Sequence, residues 1–468
     1  MLKLHIMTYE RQESRLKVVT FSPYPLTPQT PDGVSQFVLG IQPYLERLGC
    51  EVVLIGPKVN PPLKNDADYS FGRTPFRFGH HGTNHPIPIS LRQAPAKRML
   101  ETILTNPDAN NPDFVFDFHE PLLLGHYAHP IISATPKRKD GKTIPTTIAH
   151  HHAQIEGSSL TLRMALLFFK YGVWRFKFEN GRPGKTQGYA NTIMDVFDGR
   201  IAVSQATATT WSLAFPGNYE VIPNGFDTTK LTPDGPIIEE WKQDKKYTLL
   251  FAGRHDERKG IIYLIQALSH LKQQGKNNIK LKIAGDGAET EKLQRLTKNL
   301  GITEDVEFLG VLPRTELEKA YRTADIVVCP STGGEGFGRV IAEALSSETL
   351  VVASDINGYR EATGGNQPFA RLAKPADPVD LARVIMDLLN LPEEEKARLQ
   401  KEARTHVLNN FDWEIVAKKT FDYYLDRLQN HGIVNQEENR IPSTTERVIF
   451  QNVVRSATTV FDRLIHRK

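Results

Sequence analysis

Two cysteines, Cys50 and Cys329, are the only thiols in this chain of 468 residues, too few for a disulfide scaffold or a tetrahedral zinc set. Both lie beside apolar, strand-like runs, which predicts buried thiols in a reducing compartment. No uncharged apolar run reaches the roughly 20 residues that a membrane-spanning helix needs. Met1 to Arg15 also lacks an apolar core of signal-peptide length, so export is not expected. Charge of one sign is equally scarce: the net charge is +4, which gives no footing for generic nucleic-acid binding. Hydrophobic residues at 40% and charged residues at 24% are ordinary for soluble globular chains and exclude general disorder. No repeat of short period runs through the chain.

What is present alternates. Leu16 to Phe21 reads as a β-branched strand, and Val34 to Leu48 carries Phe37, Val38, Ile41, Leu45 and Leu48 at helical spacing. Gly49 ends that helix and Glu51 to Gly56 forms the next buried strand, so a βαβ unit opens the chain. Strands are further expected at Phe114–Phe118, Thr146–Ala149 and Gly199–Val203. Lys58 to Pro88, rich in Pro, Gly and His, reads as loops with a surface cluster of His80, His81 and His85. A second series begins near Lys246, with strands at Tyr247–Ala252, Lys280–Ala284, Val306–Leu309, Ile326–Cys329 and Leu350–Ala353. Helices at Gly260–Leu271, Glu289–Asn299, Thr315–Arg322, Arg339–Leu345 and Pro378–Leu389 lie among them. The polar stretch from Gly225 to Asp244 reads as the linker between the halves. This predicts an α/β chain of two doubly wound parallel domains, with ligands at the carboxyl ends of the strands.

Two loops carry the chemistry. Gly253-Arg254-His255-Asp256-Glu257-Arg258-Lys259-Gly260 places three cations after a strand and before a helix. Arginine forks chelate oxygen pairs, lysine adds a point charge and helix N-termini favour anions, so such a loop suits a diphosphate. Gly333-Gly334-Glu335-Gly336-Phe337-Gly338 likewise follows a strand and opens the helix at Arg339. Its glycines admit close backbone approach. Glu335 and Glu343 form a Glu-x7-Glu pair, and an acid beside a phosphate site is better placed to accept hydrogen bonds from sugar hydroxyls. His150-His151-His152 closes a strand. Consecutive residues there alternate faces, so the three cannot converge on one metal, and a cleft-facing polar role for one of them is favoured over a metal or purely structural role.

Taken in order, these residues resemble retaining glycosyltransferases of family 4, which have the GT-B fold, and among them the bacterial phosphatidylinositol mannosyltransferases. The resemblance runs from about Leu16 to Asn409. It is carried by Pro31-Asp32-Gly33-Val34, Phe118-His119-Glu120-Pro121, His151-His152-Ala153, Ile201-Ala202-Val203-Ser204, Ile222-Pro223-Asn224-Gly225, the two loops above and Val352-Ala353-Ser354-Asp355. It implies two Rossmann-like domains facing a central cleft, an acceptor-binding one over 1–225 and a donor-binding one over 226–430, with a C-terminal extension over 431–468. It also assigns roles. Arg254 and Lys259 would hold the donor diphosphate and Glu335 the transferred sugar, with Glu343 on the ribose hydroxyls. Gly33, Gly336, Phe337, Gly338 and Leu312 would line the donor, the backbone from Gly310 to Leu312 facing the base. His152 would sit at the reaction centre, making His152, Glu335, Arg254 and Lys259 the catalytic set. Tyr24 and Gln36 fall at acceptor positions.

The implied co-substrate is a nucleotide sugar, GDP-mannose in the closest likeness, with no cofactor and no obligatory metal because cations stabilise the leaving group. The implied acceptor is a membrane lipid such as phosphatidylinositol. Another sugar nucleotide acting on diacylglycerol or a soluble acceptor, and a non-catalytic sugar-nucleotide binder, are the competing readings. The chain departs from the mannosyltransferases on the acceptor side, where Ile155-Glu156-Gly157 stands in place of a lysine soon after the histidine.

Leu160 to Phe178 recurs in cations at Arg163, Lys170 and Lys177 among aromatic and aliphatic residues. An anionic membrane interface within 157–185, a buried helix with snorkelling cations and a dimer contact all fit it. With the lipid acceptor, the first reading gives a cytoplasmic protein on the inner face of the cell membrane. Ser443-Thr444-Thr445-Glu446 is a capping box before an apolar stripe in the C-terminal extension, best satisfied by packing on its own chain.

Overall fold

The computed structural model describes residues 16–22, 33–56, 69–70, 114–119, 146–152, 197–214, 217–242 and 247–429. Expectations for Tyr24, the cluster at His80, the 157–185 segment and the extension over 431–468 lie outside the described residues. The chain divides into two compact units. One comprises Met1–His150, Thr192–Arg200 and Ala417–Val434; the other comprises His151–Asn191, Ile201–Val416 and Asn435–Lys468.

The opening βαβ forms as its pattern dictates. In β1 (Lys17–Phe21) Val18 and Val19 are fully buried, as a strand covered on both faces requires. Helix α1 (Gly33–Arg47) buries Val34, Phe37, Val38, Ile41 and Leu45 along one stripe. Leu48, expected on that stripe, is exposed instead. The helix stops at Arg47, and Gly49, at φ +92°, turns the chain in the left-handed conformation that ends many helices before β2 (Glu51–Gly56). With β3 (Tyr69–Ser70), β4 (Phe114–His119), β5 (Thr146–His151), β6 (Gly199–Ala202) and β7 (Glu220–Val221), these strands form a sheet ordered β3-β2-β1-β4-β5-β6-β7. Helix α2 (Gln205–Ala214) lies between β6 and β7 in the chain.

The second sheet contains β8 (Tyr247–Ala252), β9 (Ile279–Ala284), β10 (Val306–Gly310), β11 (Ile326–Cys329), β12 (Leu350–Ser354) and β13 (Ala370–Ala373). Its order is β10-β9-β8-β11-β12-β13 with parallel pairing throughout. The crossover helices are α3 (Ile261–Gln273), α4 (Thr290–Asn299), α5 (Arg314–Thr323), α6 (Arg339–Ser346) and α7 (Asn357–Thr363), and α8 (Pro378–Leu389) follows the last strand. Two longer helices follow, α9 (Glu393–Phe411) and α10 (Trp413–Gln429). Leu249, Leu281, Val327, Val351, Leu264 and Ile385 are fully buried in one core. The stretch read as a linker is not free of that core, because Phe226 and Leu231 are buried in it. Both cysteines are free and buried, and burial pushes each thiol up to about 12.

Strand order reverses between β8 and β11. In open parallel sheets that switch point is where loops diverge and leave a crevice at the carboxyl edge. The two loops singled out in the sequence leave these two strands.

Candidate functional site

After β8 the chain runs through Gly253 and Arg254 into a single 3-10 turn, Glu257–Lys259. Asp256 begins that turn by accepting from the Lys259 backbone N–H at 3.1 Å, a capping role that fits aspartate. Gly260 follows at φ +65°, where a Cβ would fall 2.0 Å from the Pro330 carbonyl oxygen. Only glycine lets the first loop touch the second there.

The second loop runs from Pro330 to Gly338, and Gly338 at φ +90° leads into α6. Glu335 is its centre. Oε1 accepts from Arg258 Nη1 at 2.5 Å, from Lys259 Nζ at 2.8 Å and from Ser331 Oγ at 3.1 Å. Tyr359, from α7, donates to Ser331 Oγ at 2.7 Å. Burial by itself drives the Glu335 carboxyl up, but the charges of Lys259 and Arg258, with hydrogen bonds from Lys259 and Ser331, hold it below the usual range. All three donors meet Oε1; among the described residues none reaches Oε2. The Glu335 side chain is 12% exposed, so one charged oxygen remains open for a hydroxyl.

Gly336 and Phe337 anchor the loop. The Gly336 carbonyl accepts from Ser204 Oγ at 2.6 Å and Thr207 Oγ1 at 3.3 Å. Phe337 is buried between Phe226 and Phe411, with ring centroids 6.1 and 5.1 Å away. Glu343 lies further along α6 and is nearly sealed. Its Oε1 accepts from Arg314 Nη1 at 3.0 Å, with Arg339 Nη2 3.5 Å away, and its Oε2 accepts from Tyr321 at 2.9 Å. Burial raises this carboxyl and the two arginines more than offset it, so it stays ionised below the usual range. Leu312 packs partly buried against the core beside exposed Val311, after Gly310 at φ +68°.

The structure thus brings Lys259, Glu335 and the Gly336–Gly338 backbone to one place, with Glu343 deeper on the helix they open. Arg254 stands apart: its side chain is 70% exposed and pairs with Asp256 Oδ2 at 3.3 Å. Gly33 is the first residue of α1, and Gln36 is half-buried one turn on. His152 is half-buried immediately after β5, while His151 is buried against Trp211 with ring centroids 3.9 Å apart.

Sequence reasoning missed three groups. Arg258 is the cation that grips the second loop, donating also to the carbonyls of Gly333 and Gly334 at 3.2 and 3.1 Å. The available signal was Asp256 three residues before Lys259, which marks a capped turn. Arg314, Tyr321 and Arg339 around Glu343 come from separate elements, and no spacing announces them. Asp117, with Oδ2 3.1 Å from His119 Nε2 and 3.5 Å from His150 Nδ1, supplies an acid to the histidines. It and His119 alternate on one face of β4, a period-two signal that was legible.

The family described as Glycosyltransferase Family 4 matches residues 31–230, and that described as Glycosyl transferases group 1 matches 237–406. A phosphatidyl-myo-inositol mannosyltransferase of Mycolicibacterium smegmatis is 30% identical over 261 residues, 54% of this chain and 65% of the relative. The chain therefore spans less than two thirds of that relative's length. Among solved structures, sucrose-phosphate synthase from Thermosynechococcus elongatus superposes with a TM-score of 0.63 at 20% identity, over 88% of this chain and 99% of the other. Anabaena HepE in complex with UDP and glucose superposes with a TM-score of 0.62 at 18% identity, over 88% of this chain and 100% of the other.

Proposed function

We propose, from the premise that this chain belongs to the family 4 glycosyltransferases and has their GT-B fold, that it transfers mannose from GDP-mannose to a membrane lipid acceptor such as phosphatidylinositol, with retention at the anomeric carbon. The observation that carries the donor half is Glu335: a partly buried, ionised carboxylate with one oxygen neutralised by two cations and the other open. Open carboxylate oxygens bind sugar hydroxyls strongly, and the adjoining cations and glycine backbone suit a diphosphate. The name of the mycobacterial relative supports mannose and the inositol lipid.

In the reaction the bond from the sugar anomeric carbon to the diphosphate oxygen breaks and its electron pair leaves with the nucleoside diphosphate. The acceptor hydroxyl oxygen bonds to the same face of that carbon, and its proton passes to the departing phosphate oxygen. Negative charge therefore grows on the diphosphate in the transition state, where Lys259, Arg254 and the N–H groups at the start of α6 would stabilise it. Glu335 Oε2 would hold a hydroxyl of the transferred sugar, and His152 would lie beside the reacting centre. No cofactor or metal is required by this scheme. No described helix is long and apolar enough to cross a membrane, and the basic, aromatic run 160–178 would hold the enzyme at an anionic surface.

The test supplies GDP-mannose, UDP-glucose and a bacterial lipid extract and follows nucleotide release and glycolipid by mass spectrometry, with anomeric configuration by NMR. Release of GDP with an α-mannosyl lipid is expected. Transfer only from UDP-glucose would reassign the donor, and binding without release would favour a non-catalytic binder. Glu335→Gln should lower kcat/KM by ~10²-fold or more, equivalent to about 3 kcal/mol of transition-state stabilisation; a near-normal rate would remove Glu335 from the mechanism. Vesicle flotation weakened by replacing Arg163, Lys170 and Lys177 with Gln is the outcome expected of a surface-bound enzyme.

A further inference from the structure

Two cations converge on one oxygen of Glu335, and they are held differently. Arg258 is bound in both directions. Its Nη1 reaches Glu335 Oε1 and the carbonyls of Gly333 and Gly334, while its own carbonyl accepts from the Thr332 backbone N–H at 2.9 Å and the Thr332 hydroxyl at 3.3 Å. The ammonium of Lys259 has one partner among the described residues, Glu335 Oε1 at 2.8 Å. Removing Arg258 from this arrangement would strip two loop carbonyls and a partly buried carboxylate of a donor. Removing Lys259 breaks one ion pair and leaves Glu335 with its other cation.

Charge makes the difference functional. Glu335, Arg258 and Lys259 together carry one net positive charge, so Glu335 keeps a counterion when one of the two cations turns to an anion. A flexible four-carbon stem lets an ammonium turn from a carboxylate to a nearby diphosphate, whereas a guanidinium spanning backbone carbonyls is fixed. If both cations left, Glu335 would be a partly buried carboxylate without a counterion, a costly state.

We propose that Arg258 is a positioning residue, the permanent counterion of Glu335 and the staple of the 333–335 loop, and that Lys259 is the exchangeable cation that passes from Glu335 to the diphosphate when a nucleotide sugar binds. This rests on the donor-site reading above but concerns a residue that reading leaves unassigned. Arg258 need not touch the donor: it keeps Oε2 aimed and keeps the carboxylate charged after Lys259 has moved.

The test uses the full chain, and its first arm needs no donor. Hydrogen exchange of the unliganded protein should rise at least several-fold across residues 331–338 in Arg258→Met and stay near wild type in Lys259→Met; an unchanged rate in Arg258→Met overturns the staple. In the second arm calorimetry uses GDP and UDP. Lys259→Met should lose at least 10-fold in affinity for whichever binds, while Arg258→Met should lose less; the reverse order overturns the exchange.

The third arm reads the acid limb of kcat, which reports the donor-bound enzyme, against pH. Glu335 is faced by Lys259, Arg258, Ser331, Tyr359 and Cys329, with Asp256 beside Arg258. Arg258→Met removes the cation that remains, so the limb should move upward, and Arg258→Lys should move it back while leaving the loop loose. A limb that stays put in Arg258→Met contradicts the counterion role. If the wild-type protein binds neither nucleotide, the donor reading fails and the exchange of Lys259 with it, while the hydrogen-exchange arm still decides the staple.

Discussion

Asp117 shows what one buried carboxylate can organise. Its Oδ2 accepts from the Tyr424 hydroxyl at 2.6 Å and faces both His119 and His150. His119 and His150 stack with ring centroids 4.5 Å apart, and Phe37 lies edge-on to His150 at 4.8 Å. Burial raises the Asp117 carboxyl, but the neighbouring imidazoles hold it well below the usual range. For His150, burial and the charge of His119 push the imidazole down from 6.5 to about 4, and Asp117 only partly resists. Between those values the unfolded chain carries a proton that the folded chain has shed. Lowering the pH through this window therefore favours unfolding, and the loss from His150 levels off below about 4. Asp117 acts in the same direction, but only below its ordinary 3.8. His150→Gln should accordingly flatten the fall in Tm between pH 7 and 4.5. Calorimetric scans of both proteins across that range check it, and parallel curves would remove His150 from the pH dependence.

At the scale of elements, the crossover helices and central strands were legible because their apolar residues recur cleanly. Helices α9 and α7 were not. Helix α9 buries only Leu399, Ala403, Val407 and Phe411, spaced by four, beneath a surface of glutamate, lysine and arginine that hides the stripe. Helix α7 has seven residues, too few for a period to declare itself. Yet α7 shapes the site. A Cβ on Gly358 would stand 1.6 Å from the Glu335 carbonyl oxygen, and Tyr359, the next residue, holds Ser331. Gly358 matters for close approach, since its backbone is not left-handed. Gly358→Ala should push the 333–338 loop off α7 and lower nucleotide affinity at least 10-fold. Its effect on stability should resemble overpacking, about 1–3 kcal/mol. Nucleotide titration with a denaturant melt separates the two, and an affinity equal to wild type would show that the loop keeps its geometry without α7.

For the whole molecule, strand order carries most of what the sequence promised. An alternation of strands and helices implies parallel sheets, and the switch point between β8 and β11 then locates the two glycine-bearing loops before any side chain is considered. What escaped was the return of the chain. Helix α10 begins in the second unit, but from Ala417 onward it belongs to the first. No periodicity reports such a destination, because an apolar stripe says that a face is buried and not against what. The return is held by adjacent tyrosines. Tyr423 Oη accepts from the Arg200 backbone N–H at 2.9 Å and donates to the Arg200 carbonyl at 3.2 Å, and Tyr424 is buried on Asp117. Tyr424→Phe removes a hydrogen bond to a charged acceptor, a loss of about 1.5–3 kcal/mol, and Tyr424→Ala adds the cavity left by the ring, for a total of about 3–5 kcal/mol or more. Because both partners lie in the first unit, the damage should appear there. Hydrogen exchange should accelerate in β1, β4 and the 417–429 stretch, in the order wild type, Phe, Ala, while β8, β11 and β12 keep their protection. Equal acceleration in both sets of strands would mean that the two units unfold together and that α10 is part of a single cooperative core.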